Sequence, residues 1–200
     1  MKKSPLLWFA LLLLIITGYT LLGPAEATLG TNVRVVYLHA AWVWAALASL
    51  IAAGLVGLVG IIAQRSTLHR WSRSLGRTGL FFWITYLPIS LWAMQSNWNG
   101  LFLAEPRWRV ALVFAIGGIL LQIGLILLEN PIWASGFNLA YVIALLVALQ
   151  TTTKVMHPPA PMLESDAWRI QLYFATLTIL AMLAAWQMSR WWLAREKSTR

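Results

Sequence analysis

Long apolar segments separated by short polar ones dominate the pattern of this chain. Each apolar run is close to the roughly 20 residues that an α-helix needs to cross hydrocarbon. The pattern therefore predicts an all-α integral membrane protein, a six-helix transmembrane bundle that forms one domain over residues 1–200. The predicted spans are Leu6 to Leu22, Val35 to Ile62, Gly79 to Met94, Val110 to Leu128, Pro131 to Leu149 and Ile170 to Trp192.

The connection between the fourth and fifth runs is the shortest in the chain. It consists of Glu129 and Asn130, and Pro131 follows at once. Proline cannot continue the preceding helix but is well suited to the first position of the next one. We therefore expect a tight helical hairpin here.

The first run has some features of a secretory signal. Lys2 and Lys3 precede an apolar stretch, and Ala25-Glu26-Ala27 has the form of a small-residue cleavage site. The apolar stretch exceeds the usual signal length of about 7 to 15 residues. We therefore expect an uncleaved first helix.

Composition agrees with membrane insertion and narrows the chemistry. Hydrophobic residues make up 60% of the chain and charged residues 10%, which is far too apolar for a water-soluble surface. Cysteine is absent, so this chain can form neither a disulfide nor a thiolate metal site, and it cannot attach haem covalently. Any cofactor must be held non-covalently.

The net charge of +9 reports topology rather than nucleic-acid binding, because the positive residues fall in short connections between apolar runs. Positive residues collect on the cytoplasmic side of membrane proteins. Ten of the fifteen Lys and Arg residues fall in alternate connections that include both termini: Lys2, Lys3, Arg65, Arg70, Arg73, Arg77, Arg190, Arg195, Lys197 and Arg200. This pattern predicts a multi-pass protein of the cell inner membrane with both termini cytoplasmic.

The same topology sorts the three histidines of the chain. His69 falls in the basic connection from Arg65 to Arg77, which we interpret as a solvated loop facing lipid headgroups. His39 and His157 share the outer face. Two neutral imidazoles on one side can supply both axial ligands of a haem iron, although hydrogen bonding between helices or to water explains them as well.

The residues around His39 resemble a known motif. The run from Arg34 to Trp42, which contains Tyr37 and His39, resembles the first histidine motif of the haem-handling proteins of cytochrome c maturation, the CcmC and CcsA family. Members of that family hold haem at the outer membrane face between two histidines. The resemblance implies His39 and His157 as iron ligands, with Arg34 near a haem propionate. Trp42 lies three positions after His39 and is expected on the same helix face, packed on the macrocycle.

The loop after the third run carries a second resemblance. Glu105-Pro106-Arg107 resembles the acid-x-Arg end of the family's Trp-Trp-Asp motif, with Phe102 and Leu103 where the family has tryptophans. The resemblance adds Arg107 and Trp98 to the expected haem site. Met156 and Met162 are alternative thioether ligands in place of His157.

The resemblance implies a protein that binds haem b and passes it to a haem chaperone, an apocytochrome or another membrane subunit. It is not expected to be an enzyme, since the sequence has no nucleophile triad, phosphate loop or zinc-ligand spacing. Two alternatives remain open. One is a bis-histidine cytochrome b in an electron-transfer complex, and the other is a purely structural subunit of such a complex.

Overall fold

Six α-helices make up the described part of this protein. The computed structural model describes residues 4–153, 155, 162 and 166–198. The helices are α1 (Pro5–Leu21), α2 (Val33–Ala63), α3 (Ser66–Trp98), α4 (Pro106–Leu128), α5 (Pro131–Thr151) and α6 (Trp168–Ser198). The predicted all-helical fold is therefore confirmed. Four of the described helices, α2, α4, α5 and α6, are long and apolar enough to cross a membrane.

The third helix begins well before the predicted span. We expected the helix to start at Gly79 and the residues from Arg65 to Arg77 to form a loop, but α3 is helical from Ser66 onward. The loop interpretation is wrong because small residues such as Ser72 and Gly76 bury one face of this polar segment. Close backbone packing, rather than apolar side chains, stabilises this part of the helix.

Local chemistry explains the tight connections. Gln64 ends α2 and Glu129 ends α4, both with left-handed backbone at φ near +50°, a common way to stop a helix. Asn130 then caps α5, because its Oδ1 accepts from the backbone N–H of Ile132 at 2.9 Å. Pro131 occupies the first turn of α5. The predicted hairpin is confirmed.

The bundle has two chemically different ends. We call one the loop end, where the α1–α2 and α3–α4 connections meet: Asn32 Nδ2 donates to the carbonyl of Ser96 at 2.9 Å. In its α1–α2 loop, the backbone N–H groups of Leu29 and Thr28 donate to Glu26 and lower the pKa of that carboxyl. The opposite end, with the α2–α3 and α4–α5 turns, is the turn end.

Helix α2 lies at the centre and contacts α1, α3, α5 and α6. At the turn end, the Nδ1 atom of His69 lies 2.8 Å from the Ser135 hydroxyl of α5, and His69 is only 4% exposed. The interpretation of His69 as a solvated loop residue is therefore wrong. A helix that packs between α2 and α5 turns this imidazole inward, away from the solvent.

Candidate functional site

A cavity of about 630 Å³ lies in the loop-end half of the bundle. Its volume falls within the roughly 300 to 1,000 Å³ typical of sites for small molecules and cofactors. All helices from α2 to α6 contribute to the wall, and most of the lining is apolar. The cavity can therefore hold a large, mainly apolar molecule.

A single stripe of α2 forms much of this wall. Val36, His39, Ala40, Val43 and Leu47 recur at the three- and four-residue spacing that defines one face of an α-helix. His39 is thus the polar residue in an otherwise apolar stripe. Its ring centroid lies 5.5 Å from that of Tyr86 on α3, at an interplanar angle of 60°.

The start of α4 contributes the charged part of the wall. Glu105 precedes the helix and is 4% exposed, and its carboxylate does not cap the helix. Arg107 and Trp108 follow in the first turn and also line the cavity. Within the described part of the chain, neither Glu105 carboxylate oxygen, Arg107 Nε nor Trp108 Nε1 has a hydrogen-bond partner. Buried polar atoms are normally hydrogen-bonded, so these groups are suited to a polar ligand group.

The cavity reaches the surface on the side where α5 and α6 flank α2. Trp44, Ile51 and Met182 all line it and are 45%, 37% and 38% exposed. Trp83 and Phe174 line its interior and are 1% and 4% exposed. A ligand in this cavity would therefore touch both the core of the bundle and its apolar outer surface.

Four of the residues expected at the site lie outside the cavity lining, and three of them, Arg34, Tyr37 and Trp42, are described first. Arg34 Nε donates to the carbonyl of Gly23 at 2.8 Å and so holds the α1–α2 loop against α2. Tyr37 is 1% exposed and packs against Tyr173 of α6, with ring centroids 5.3 Å apart. Neither residue lines the cavity. Trp42 also lies outside the cavity lining, although its neighbours on α2 form the wall.

Trp42 packs into the α2–α3 interface instead of the cavity. Its ring lies 4.6 Å from that of Phe82, and its Nε1 donates to Thr85 Oγ1 at 2.8 Å. The rotation of α2 turns the side chain three positions after His39 toward α3, whereas the side chains one and four positions after it line the cavity. The tryptophan of α2 that lines the cavity is Trp44.

The other expected residues divide into two groups. Trp98 is the last residue of α3 and lies outside the cavity lining. His157 and Met156 lie outside the described residues. Met162 is described, lines the cavity and is 7% exposed. Of the expected ligands and contacts, the structure therefore brings His39, Arg107 and Met162 to one cavity.

Sequence reasoning missed several polar residues of the lining. Tyr86 and Ser90 lie one turn apart on α3, and Gln150 lies at the end of α5. The four-residue spacing of Tyr86 and Ser90 was visible in the sequence. Which face of α3 meets α2 was not, because it depends on contacts between helices. No protein-family model, curated protein or solved structure matches the chain.

Proposed function

We propose that this chain is a six-span protein of the cell inner membrane with both termini in the cytoplasm. The distribution of the described arginines supports this placement. Six lie toward the turn end and four lie at the loop end; the six are Arg65, Arg70, Arg73, Arg77, Arg190 and Arg195, and the four are Arg34, Arg107, Arg109 and Arg169. Positive residues resist translocation, so the turn end faces the cytoplasm and the loop end faces outward.

At the outer face the protein holds haem b non-covalently and delivers it to a partner. One observation carries this proposal: the imidazole of His39 lies on the wall of a mainly apolar cavity of about 630 Å³. The resemblance of the residues around His39 to the haem-handling family predicted a haem ligand at this position. The cavity supplies the space that a haem group requires.

The residues of the cavity fit haem in three respects. The apolar stripe of α2 with Trp44 and Trp83 suits the faces of a flat macrocycle, and a neutral imidazole is a common ligand of haem iron. Arg107 supplies a cation for a propionate, since a guanidinium matches a carboxylate with two hydrogen bonds. Haem would supply an iron that binds a nitrogen or sulfur ligand, and the chain would supply that ligand, the apolar walls and the charge partner.

The proposed second iron ligand is His157. It lies in the segment between α5 and α6, which also carries Met162, a residue of the cavity wall. Met162 is the alternative ligand, since a thioether also binds haem iron. Replacing Met162 by Leu keeps its volume and removes the sulfur. We expect Met162→Leu to leave the low-spin haem spectrum unchanged. A changed spectrum would show that the second iron ligand is Met162 and not His157.

The experiment that tests the proposal measures haem content and haem transfer together. The full chain is purified from haem-replete membranes, and its haem is quantified by the pyridine haemochrome reaction. It is then mixed with a haem-free acceptor cytochrome. Substoichiometric haem that moves to the acceptor supports delivery. Stoichiometric haem that stays bound through redox cycles would instead indicate electron transfer, and absence of haem would contradict both.

A further inference from the structure

The arginines of α3 lie beside an apolar stretch of α2, and not beyond its end. Ser72 Oγ donates to the carbonyl of Ala53 at 2.8 Å, and Gly60 packs against His69. Between these two contacts, α2 exposes Leu55, at 56%, along with Leu58 and Val59. Arg70 and its neighbours are therefore level with exposed apolar residues of α2.

Charge at this depth requires partners, because an isolated arginine in hydrocarbon costs several kcal/mol. Arg73 Nε and Arg77 Nη1 share one carboxylate oxygen of Glu196, at 3.5 and 3.2 Å. These are the ion pairs found among the described residues, so one carboxylate serves two guanidinium groups. The positive charge of this face is only partly neutralised.

Arg70 completes the same face. Arg70 lies three positions before Arg73 and seven positions before Arg77, so all three residues share one side of the helix. Its Nη2 atom is buried and has no hydrogen-bond partner in the part of the chain that is described. A buried guanidinium N–H without an acceptor leaves a place for an anionic oxygen.

Aromatic rings border this cluster on α6. The guanidinium of Arg77 lies 5.5 Å from the ring centroid of Trp192. Trp71, next to Arg70, stacks on Trp186 with centroids 5.1 Å apart. Tryptophan is enriched at the level of lipid headgroups. Aromatic rings beside these arginines favour an anion that is attached to an apolar molecule over a free ion.

We infer that Arg70, Arg73 and Arg77, which we call the arginine face of α3, bind the phosphate of an anionic phospholipid. The guanidinium fork matches phosphate oxygens, and anionic lipids are attracted to basic segments at the cytoplasmic surface. Glu196 holds two of the arginines in place from α6. The inference rests on the proposed membrane placement and is independent of haem.

The test uses the full chain in bilayer discs made from phosphatidylcholine with a minor share of phosphatidylglycerol. After mild detergent extraction, native mass spectrometry counts the phosphatidylglycerol that stays bound. Arg70→Gln is compared with Arg190→Gln, which removes the same charge from an exposed residue bonded to Gln187. We expect about tenfold weaker retention in Arg70→Gln, from the loss of a charge-assisted hydrogen bond, and little change in Arg190→Gln.

Two further arms make the result decisive. Arg70→Lys keeps the charge and controls for loss of folding caused by a substitution at this position. We expect it to retain more lipid than Arg70→Gln. Inorganic phosphate is added to the lipid-bound protein in detergent to probe a free-ion site. Equal retention in the Gln variants of Arg70 and Arg190, or binding of inorganic phosphate that displaces the lipid at low millimolar concentration, would overturn the inference.

Discussion

At the residue scale, the environments of the histidines separate two roles. His39 faces a cavity together with Tyr86, whereas His69 is buried against Ser135 at the opposite end of the bundle. The sequence assigned His69 to solvent because its neighbours are arginines. Its partner, Ser135, lies 66 positions away in the sequence, and no local pattern predicts a contact over that separation.

Arg107 and Arg109 offer a matched pair for the proposed propionate contact. Arg107 lines the cavity, whereas Arg109 is exposed and its Nε donates to the carbonyl of Leu103 at 3.1 Å. We expect Arg107→Ala to weaken haem binding by about 1 to 3 kcal/mol, the contribution of a charge-assisted hydrogen bond. Haem titration of the apoprotein measures this. Loss of affinity in Arg109→Ala with none in Arg107→Ala would reverse the assignment.

The contact between His69 and Ser135 is predicted to stabilise the turn end. Ser135→Ala leaves a buried imidazole nitrogen without its partner, and we expect the free energy of unfolding to fall by about 1 kcal/mol. Thr17→Ala is the control, since the Thr17 hydroxyl is exposed and bonds only within its own helix. Denaturant unfolding in detergent compares them. Equal effects of both substitutions would show that the contact adds no stability.

At the element scale, small residues decide how α2, α3 and α5 pack. The sequence predicted the bounds of α1, α2, α4 and α5 to within four residues, because apolar runs of that length have few other structures available. Helix α6 ends six residues later than predicted. The sequence missed the first turns of α3, where polarity suggested a loop. Ser72, Gly76 and Gly79 recur at short helical intervals and are buried, a pattern that hydropathy does not detect.

Gly57 tests this close packing directly. A Cβ atom at Gly57 would lie 2.8 Å from Ser72 Oγ and 3.0 Å from the Ser135 carbonyl oxygen. We expect Gly57→Ala to lower the free energy of unfolding by about 1 to 3 kcal/mol through overpacking. Gly117→Ala should be neutral or slightly stabilising, because nothing lies within 4 Å of a Cβ there. Thermal unfolding in detergent would contradict the packing account if both variants behaved alike.

At the scale of the whole molecule, the cavity and the arginine face of α3 lie toward opposite ends of the bundle. The cavity lies in the loop-end half, with Glu105 and Arg107 at its wall, and the ion pairs of Glu196 lie toward the other end. Local sequence patterns predicted most of the helix bounds, and the resemblance around His39 made it a proposed site residue. They could not predict the cavity, because its shape depends on how α2 rotates against α3.

The absence of cysteine makes the proposed topology simple to test. Single cysteines at Ser66, the first residue of α3, and at Asn99, in the α3–α4 connection, are both at exposed positions. In intact cells, a membrane-impermeant thiol reagent should label the Asn99 site and spare the Ser66 site, since the loop end is proposed to face outward. Labelling at Ser66 that requires no permeabilisation would overturn the orientation.

The central claim is that His39 binds haem iron in the loop-end cavity. Absorption spectra of purified wild type, His39→Ala and His69→Gln, oxidised and reduced, test it most directly. We expect a six-coordinate low-spin spectrum in the wild type, and a five-coordinate spectrum or an empty site in His39→Ala, because an axial imidazole is lost. His69→Gln keeps a hydrogen-bonding group and should match the wild type. A wild type without haem, or an intact spectrum in the double variant His39→Ala/His157→Ala, would contradict the claim.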